Sequence, residues 1–288
     1  MKVIYKRELG SYFQSMTGYS FIAFFTAITG IYFMAYNLNA GYPYFSYALS
    51  GVMFLLTIAI PILTMKCFAE ERKSRSDQLL LTAPVSLFEI VSGKYLAMVT
   101  VFAVPNLIFC LFPLIIKSGG NAYLKVDYLS ILTFFLMGCV YIAVGMFLSS
   151  LTESQIIAAV TTFGALLILF LWDSLIQFLP SSAMGSLISL LVLLSLFVYM
   201  IHTMMKNWVV TGVLEAAVLI GNIGTYVWKA SVYEGLLEKL LGKLSLYSVF
   251  TDIASNHLFD ISGIVVYLSF IAVFVFLTMQ SIQKRRWS

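Results

Sequence analysis

Residues Glu70–Ala97 read EERKSRSDQLLLTAPVSLFEIVSGKYLA, a strongly charged segment followed at once by an apolar one. Six of its first eight residues are charged, whereas the whole chain is 10% charged and 61% hydrophobic. Soluble domains are typically about 45–50% apolar and about 25% charged. This composition predicts an all-α, polytopic integral membrane protein, with the charged segment outside the bilayer.

Charge-free intervals mark the candidate membrane spans, because a charged side chain at the bilayer centre costs about 2.5–3.5 kcal/mol. The interval Trp208–Trp228 contains Glu215, yet a tryptophan at each end is typical of a segment that meets both membrane interfaces. With this segment included, we predict eight spans: Gly18–Tyr36, Ala48–Met65, Trp208–Trp228 and one each within 95–116, 128–152, 154–172, 174–205 and 261–283.

Eight spans place both termini on one side of the membrane. That side then holds 12 of the 17 basic residues, and an excess of Lys and Arg marks the cytoplasmic side. We therefore predict a bacterial-type cytoplasmic membrane protein with cytoplasmic termini. The twelve residues are Lys2, Lys6, Arg7, Lys66, Arg72, Lys73, Arg75, Lys94, Lys206, Lys284, Arg285 and Arg286.

Two amphipathic segments accompany the spans. Residues 1–16 are predicted to form a helix that lies in the cytoplasmic interface, with an apolar side of Met1, Tyr5, Leu9, Tyr12, Phe13 and Met16 opposite Lys6, Arg7, Gln14 and Ser15. The external segment 229–259 is predicted to form a helix on the outer leaflet or on the bundle, or a lid over an outward exit. Its apolar residues, at helical spacing, are Tyr233, Leu236, Leu237, Leu240, Leu241 and Leu244.

The segment 66–93 is the longest predicted cytosolic connection. A short helix is expected in it, because Ser74 or Ser76 can cap its start and Pro84 would end it. Ser86 and Glu89 have the spacing of a capping box that opens the third span. The segment has two interpretations: a solvated loop that only orients the protein, or an apolar cluster ringed by charge that docks a partner protein.

The sequence EERKSRSDQLLLTAPVS resembles the cytosolic coupling-helix signature of type-2 ABC exporter permeases, in which a Glu-rich start and a Gly-Thr pair precede ELLLT.PVS. Here Arg75 and Ser76 replace Gly-Thr, and Gln78 replaces Glu. SSLTESQIIAA (Ser149–Ala159) resembles the second coupling turn, and residues 1–16 resemble the interfacial connecting helix. The C-terminal sequence from Asp260 resembles the last span of the gliding-motility-associated branch of these permeases. The usual pattern has six spans, so Trp208–Trp228 and the preceding span resemble an inserted pair.

The resemblance implies a single permease domain over 1–288 that moves a substrate outward while a separate protein hydrolyses ATP. In agreement, SGKYLA (Ser92–Ala97) lacks the first Gly and the Ser/Thr of a phosphate-binding loop. The implied partners are a cytosolic ABC ATPase dimer, membrane lipids, and either a second permease-like subunit or a second copy of this chain, without nucleic acid. The implied ATPase-coupling residues are Arg72, Ser76, Asp77, Gln78, Leu79, Leu80, Leu81, Pro84, Thr152, Glu153, Ser154 and Gln155.

Other residues leave two further hypotheses open. Glu215 within a span could serve an ion-coupled secondary transporter, although snorkelling or a hydrogen-bonded partner is the structural interpretation. The protein could also be a membrane anchor whose cytosolic loop recruits a partner. The dispersed cysteines and His202 and His257 have no metal-ligand spacing, so no catalytic, cofactor or metal site is predicted. The uncharged, aromatic and Met-rich spans favour a lipid-like or hydrophobic substrate.

Overall fold

A computed structural model describes residues 1–76, 85–205, 208–254 and 261–286. Throughout these residues the regular secondary structure is helical, as predicted. The α-helices, in chain order, are α1 Lys2–Gln14, α2 Met16–Phe33, α3 Ser46–Thr64, α4 Ala69–Lys73, α5 Leu87–Phe109, α6 Phe112–Gly119, α7 Leu124–Leu151, α8 Gln155–Phe170, α9 Trp172–Ile176, α10 Ala183–Met205, α11 Trp208–Trp228, α12 Leu236–Gly242, α13 Leu246–Ala254 and α14 Ile261–Arg286.

Several helices are long and apolar enough to cross a membrane. Among the described residues, five meet both criteria, and Gln155–Phe170 and the part Ala183–Leu196 of α10 are shorter apolar stretches. The polytopic membrane architecture is therefore confirmed, and α11 has the bounds Trp208–Trp228 that the sequence predicts. The count of eight spans stays a prediction. The five are Met16–Asn39, Ser46–Lys73, Leu87–Gly119, Leu124–Leu151 and Ile261–Arg285.

The chain forms two compact units. Unit 1 comprises Met1–Phe170 and Leu246–Ser288, and unit 2 comprises Leu171–Ser245. Within unit 1, the rings of Phe170 and Tyr247, which lie just outside the two boundaries of unit 2, are in edge-to-face contact at 5.5 Å. Unit 2 contains α10 and α11, the two helices that resemble an inserted pair, and removing it leaves α2, α3, α5, α7, α8 and α14 as the long helices of unit 1.

One end of unit 1 gathers α1, the start of α5, the α7–α8 turn and the C-terminal part of α14; we name it the terminal end. The amino group of Met1 lies 3.1 Å from Glu89 near the start of α5. Arg285 near the end of α14 lies 3.2 Å from Glu153 in the α7–α8 turn. The helices α1 and α14 therefore both reach the terminal end. This arrangement requires the chain to cross the bilayer an even number of times between them.

The opposite end is closed by hydrogen bonds between helix ends. The Asp127 carboxylate accepts a 2.8 Å hydrogen bond from the Phe45 N–H at the start of α3. The Ser46 hydroxyl donates to the Ala254 carbonyl at the end of α13. The Tyr267 hydroxyl of α14 donates to the Leu246 carbonyl at the start of α13. The short helix α13 is thereby held among α3, α7, α8 and α14.

Aromatic rings fill the centre of unit 1. Phe25 of α2 is fully buried, and its ring centroid lies 6.0 Å from Phe102 of α5 and 6.0 Å from Phe134 of α7. Phe134 also meets Phe250 of α13, edge to face. Packed aromatic pairs add about 0.5–1.5 kcal/mol each beyond their buried area. This cluster therefore fixes the spacing of the helices whose ends form the terminal end.

The start of α5 confirms the predicted capping box. The Glu89 N–H donates to the Ser86 hydroxyl, and the Glu89 carboxylate accepts from the Ser86 N–H. These reciprocal bonds satisfy backbone donors that the first helical turn leaves without a partner. The helix therefore begins at Leu87, within the predicted cytosolic segment 66–93, and it includes Lys94.

The two predicted amphipathic segments differ from expectation in detail. Residues 2–14 are helical, but Met16 begins α2 and is exposed, so it does not belong to the packed side of α1. The external segment is not one helix. It contains a 3₁₀ turn at Ala230–Tyr233, then α12 and α13, because Gly235 takes a left-handed φ of +63° and a separate helix starts after it.

Candidate functional site

The chain turns sharply between α3 and α4, at Met65–Phe68, which we name the α3–α4 corner. The last carbonyls of a helix have no partner within it. Here side chains from three other helices supply donors: Tyr12 of α1 to Leu63 O at 3.1 Å, Lys94 of α5 to Cys67 O at 2.9 Å, and Ser149 of α7 to Met65 O at 3.2 Å. Three separate helices therefore attach to the end of α3.

Ser149 also fixes the start of α4. Its hydroxyl oxygen accepts hydrogen bonds from the Phe68 N–H at 3.2 Å and the Ala69 N–H at 3.3 Å, while it donates to Met65. A single fully buried hydroxyl thus joins the end of α3 to the beginning of α4. Tyr12 of α1 likewise donates to the end of α3, at Leu63 O, and burial raises the pKa of its phenol well above the ordinary value.

Lys94 is the centre of an ion network, by which we mean Arg7, Glu8, Glu71 and Lys94. The Lys94 ammonium lies 2.9 Å from Glu71 of α4 and 3.2 Å from Glu8 of α1. Arg7 pairs with both carboxylates, at 3.0 Å from Glu71. The ammonium also stands 5.1 Å from the centre of the Phe68 ring, within the range of a cation–π contact.

The ion network balances two cations against two anions. The Lys94 side chain is 1% exposed, those of Glu8 and Glu71 are 14% and 19% exposed, and that of Arg7 is 52% exposed. A buried ammonium is tolerated only when it is paired and hydrogen-bonded. A cleft of about 320 Å³ beside the network, lined also by Lys66 and Glu70, gives the outer members access to water. The pairs of Lys94 with Glu8 and Glu71 are therefore better shielded from water than the pairs of Arg7.

The helix α1 contacts the start of the segment that resembles a coupling helix and the helix that follows this segment. At its start, Arg7 pairs with Glu71. After it, the Tyr5 hydroxyl hydrogen-bonds Thr100 at 3.0 Å, and the Met1 amino group pairs with Glu89. The close approach of α1 and α2 requires a glycine, since a Cβ at Gly18 would lie 2.5 Å from the Tyr12 carbonyl oxygen.

The described part of the first coupling segment ends in a turn. Ser74 donates to the Glu70 carbonyl, the Ser76 N–H donates to the Glu71 carbonyl, and Arg75 has a left-handed φ of +56°. In the described residues Ser74 and Ser76 thus follow the end of α4 and bond back to its carbonyls. Six predicted coupling residues lie outside the described residues: Asp77, Gln78, Leu79, Leu80, Leu81 and Pro84.

The second predicted coupling turn lies at the same end of unit 1. Thr152 follows α7, its hydroxyl accepts a 3.2 Å hydrogen bond from the Ser154 N–H, and Gln155 begins α8. Glu153 is exposed and pairs with Arg285. Arg72 is buried on α4, which packs on α7 and α8. The structure therefore brings Arg72, Ser76 and residues 152–155 to the terminal end.

Glu215 lies on α11 in unit 2 and has the hydrogen-bonded partner that the structural interpretation expects. Its carboxylate accepts a 2.7 Å hydrogen bond from the Ser195 hydroxyl of α10. Hydrogen bonds of this kind hold neighbouring membrane helices together. No side-chain contact of His202 is described, and His257 lies outside the described residues. Within the described part of the chain, no group of three metal-ligating side chains is found.

The sequence of the chain was compared with models of protein families. The family described as ABC-2 family transporter protein matches residues 4–278, nearly the whole chain. The chain belongs to the ABC-2 transporter family. It is the membrane permease component of an ABC transporter, as the resemblance of the segment Glu70–Ser86 indicates. A comparison with curated proteins finds no match.

The ion network of this ABC-2 permease was not predicted as a site. Lys94 was interpreted only as one of the basic residues that orient the chain, and neither Glu8 nor Glu71 was assigned a role. One signal was available: Lys94 follows the capping residue Ser86 by eight residues, more than two helical turns, and is surrounded by apolar residues. A lysine at that depth in a span predicts a buried partner.

Proposed function

We propose that this permease exports a lipid-like or hydrophobic substrate across the cytoplasmic membrane, driven by a cytosolic ABC ATPase dimer. The ATPase docks on the segment 66–93 and on the turn 152–155. The observation that carries this proposal is the α3–α4 corner. The helix that leads into the first docking segment is bonded there to α1, α5 and α7 at once.

The α3–α4 corner explains how a docked ATPase acts on the spans. When the two ATPase subunits close on ATP, they displace the segment after Ser76. Because Glu71 is paired with Lys94 and Arg7, that displacement moves α4, the start of α5 and α1 together. Rigid helices moving about packed contacts are an established way of switching a bundle between two states. The bundle then alternates between inward-open and outward-open arrangements.

The charge distribution supports a cytosolic location for the terminal end. Of the described basic residues in unit 1, only Lys117 and Lys125 lie elsewhere, at the far ends of α6 and α7. Connections rich in Lys and Arg face the cytoplasm. This orientation presents the residues around Arg72 and Thr152 to a cytosolic protein. The permease acts as a pair, with a second copy or a related membrane subunit as its partner.

Copurification with a coexpressed cytosolic ABC ATPase tests the docking assignment. The double substitution Leu79→Asp and Leu80→Asp should abolish copurification, because two charges replace the apolar contact. Lys6→Asp on α1 is the matched control, since it makes the same net charge change at the same end and should leave copurification intact. Full retention of the ATPase by the double variant would contradict the docking site. An unchanged elution volume on size exclusion shows that the variant remains folded.

One alternative function is an ion-coupled secondary transporter that uses Glu215, although the hydrogen bond from Ser195 fits a structural role for this carboxylate. In that case Glu215→Gln would abolish transport and no ATPase would be required. The export proposal expects the opposite: Glu215→Gln transports at the wild-type rate in proteoliposomes, and transport stops without ATP. A membrane anchor would give no flux even in proteoliposomes that contain the complete complex.

A further inference from the structure

The cleft beside the ion network lies at the terminal end of unit 1, between α1, the start of α2, the α3–α4 corner and α4. Its volume of about 320 Å³ is within the usual range of ligand pockets, about 300–1,000 Å³. Three cations and three carboxylates line it, so the cleft is strongly polar but has no net charge. They are Arg7, Lys66, Lys94, Glu8, Glu70 and Glu71.

Two of the six charges in this cleft lie outside the ion network. The Lys66 ammonium, in the α3–α4 corner, and the Glu70 carboxylate, on α4, have no ion pair or hydrogen bond with any residue that the structure describes. Lys66 is half-buried and Glu70 is exposed, so a ligand in the cleft can reach both. The cleft therefore offers one ammonium and one carboxylate to a ligand.

A ligand that carries both signs of charge matches this pair best. An anion bound at Lys66 would leave the Glu70 carboxylate without a partner, and a cation bound at Glu70 would leave the Lys66 ammonium without one. A phosphate ester joined to a primary amine satisfies both, since its phosphate oxygens accept from an ammonium and its own ammonium donates to a carboxylate. Such complementary charges give specificity for the ligand that has both.

The cleft lies where the chain enters the membrane. Ser15 and Thr17 line it at the junction of α1 with the membrane span Met16–Asn39. Met16, between these two residues in sequence, is 86% exposed, and Tyr19, one turn further along α2, is also exposed. A free zwitterion would leave these apolar side chains uncovered. A phospholipid in the leaflet at the terminal end has its headgroup at the level of the cleft and its acyl chains along the start of α2.

We propose that this cleft binds the headgroup of a zwitterionic phospholipid with a primary amine, phosphatidylethanolamine. Lys66 pairs with its phosphate, Glu70 pairs with its ammonium, and an acyl chain lies against Met16. The bound lipid thereby connects the junction of α1 and α2 to the α3–α4 corner. It is a resident lipid and not the exported substrate. Its binding is a property of this chain alone and requires neither the ATPase proposed above nor transport.

Native mass spectrometry of the detergent-purified full chain tests the proposal. The probes are phosphatidylethanolamine, phosphatidylcholine and phosphatidylglycerol with identical acyl chains. Phosphatidylcholine has the same charges but no N–H donor, and phosphatidylglycerol has no ammonium. Each should therefore bind about tenfold more weakly than phosphatidylethanolamine, because the charge-assisted hydrogen bond to Glu70 is missing.

Two variants assign the two contacts. Glu70→Gln should remove the preference for phosphatidylethanolamine over phosphatidylglycerol. Glu153→Gln, the same change at an exposed residue of the terminal end outside the cleft, is its matched control and should keep the preference. Lys66→Gln should weaken the binding of all three lipids by about tenfold, since they share the phosphate, and Lys66→Arg should restore it. The control for Lys66→Gln is Lys6→Gln on α1, outside the cleft.

Three outcomes would overturn the proposal. Equal binding of phosphatidylethanolamine and phosphatidylglycerol by the wild type would show that the amine is not recognised. Equal effects of Glu70→Gln and Glu153→Gln would indicate a general surface attraction and not this cleft. Displacement of the lipid by millimolar phosphoethanolamine would assign the cleft to a soluble zwitterion. Glu70 is exposed, so an unchanged melting temperature is expected for its variant, and Lys66→Gln tests the same cleft independently.

Discussion

The Lys94 ammonium of α5 lies 2.9 Å from the Glu71 carboxylate of α4, at the start of the segment that resembles a coupling helix. This ion pair connects the start of that segment to the helix that follows it. The pair also touches α1 through Glu8 and Arg7. The ion network therefore makes one mechanical unit of three helices that are separate in sequence.

Removal of the Lys94 charge should damage both stability and coupling. In Lys94→Met, Glu8 and Glu71 keep only Arg7 as a cation, and the loss of one partner from a buried pair costs about 3–5 kcal/mol. Because the carboxylates are partly exposed, the lower end of that range applies. We expect a lower midpoint of unfolding in mixed detergent micelles and loss of transport-coupled ATP hydrolysis.

Two further variants separate the charge effect from simple destabilisation. Lys94→Met combined with Glu71→Gln should recover part of the lost stability, because one unpaired carboxylate is removed. The exposed Lys6→Met is the matched control and should unfold like the wild type. If Lys94→Met unfolds at the wild-type midpoint, the ion network does not hold these helices together.

The Tyr12 hydroxyl should contribute less than Lys94 to the free energy of unfolding, because it supplies one hydrogen bond and no charge. Tyr12→Phe keeps the ring and removes the donor to the Leu63 carbonyl. A net intramolecular hydrogen bond is worth about 1 kcal/mol, so the free energy of unfolding should fall by about that amount. Tyr19→Phe is the control, since the Tyr19 ring is 60% exposed. Equal effects of the two substitutions would argue against the Tyr12–Leu63 bond.

Ser149 should control local opening at the start of α4. In Ser149→Ala the Phe68 and Ala69 N–H groups lose their acceptor, so their amide hydrogens should exchange with solvent faster by about tenfold or more. Hydrogen–deuterium exchange measured on a peptide covering the α3–α4 corner reports this directly. Ser150→Ala is the control, because Ser150 donates only to a carbonyl of its own helix, that of Phe147. Unchanged exchange in Ser149→Ala would remove this contact from the account.

The α3–α7 contact should not accept a side chain at Gly145. A Cβ there would overlap the Thr64 side chain, one residue before the α3–α4 corner. Overpacking of this kind costs about 1–3 kcal/mol, so Gly145→Leu should unfold at a lower denaturant concentration. Gly164→Leu on α8 is the control, since nothing lies within 4 Å of a Cβ at that position. A wild-type midpoint for Gly145→Leu would mean that α3 and α7 are farther apart than described.

Much of the fold follows from local sequence. Long charge-free apolar intervals define the helices, and the Ser86–Glu89 spacing defines where α5 begins, because capping is decided within four residues. The two tryptophans correctly bound α11. The family resemblance rests on equally local motifs. By contrast, the sequence analysis predicts one helix in the external segment and misses the break at Gly235. The i, i+3, i+4 spacing of apolar residues does not show that a single residue takes a left-handed conformation.

Composition and local motifs are enough to predict the kind of protein: an all-α, polytopic membrane permease of the ABC-2 family, whose charged residues cluster outside the spans. The role of Lys94 becomes visible only in the folded protein. In sequence it is 23 residues from Glu71 and 86 from Glu8, and no periodicity relates the three. These three residues come together because α1 packs against α5, and the buried contacts of the whole bundle determine that packing. In sequence Lys94 is only one of the basic residues that orient the chain, whereas in the folded protein it joins α1, α4 and α5.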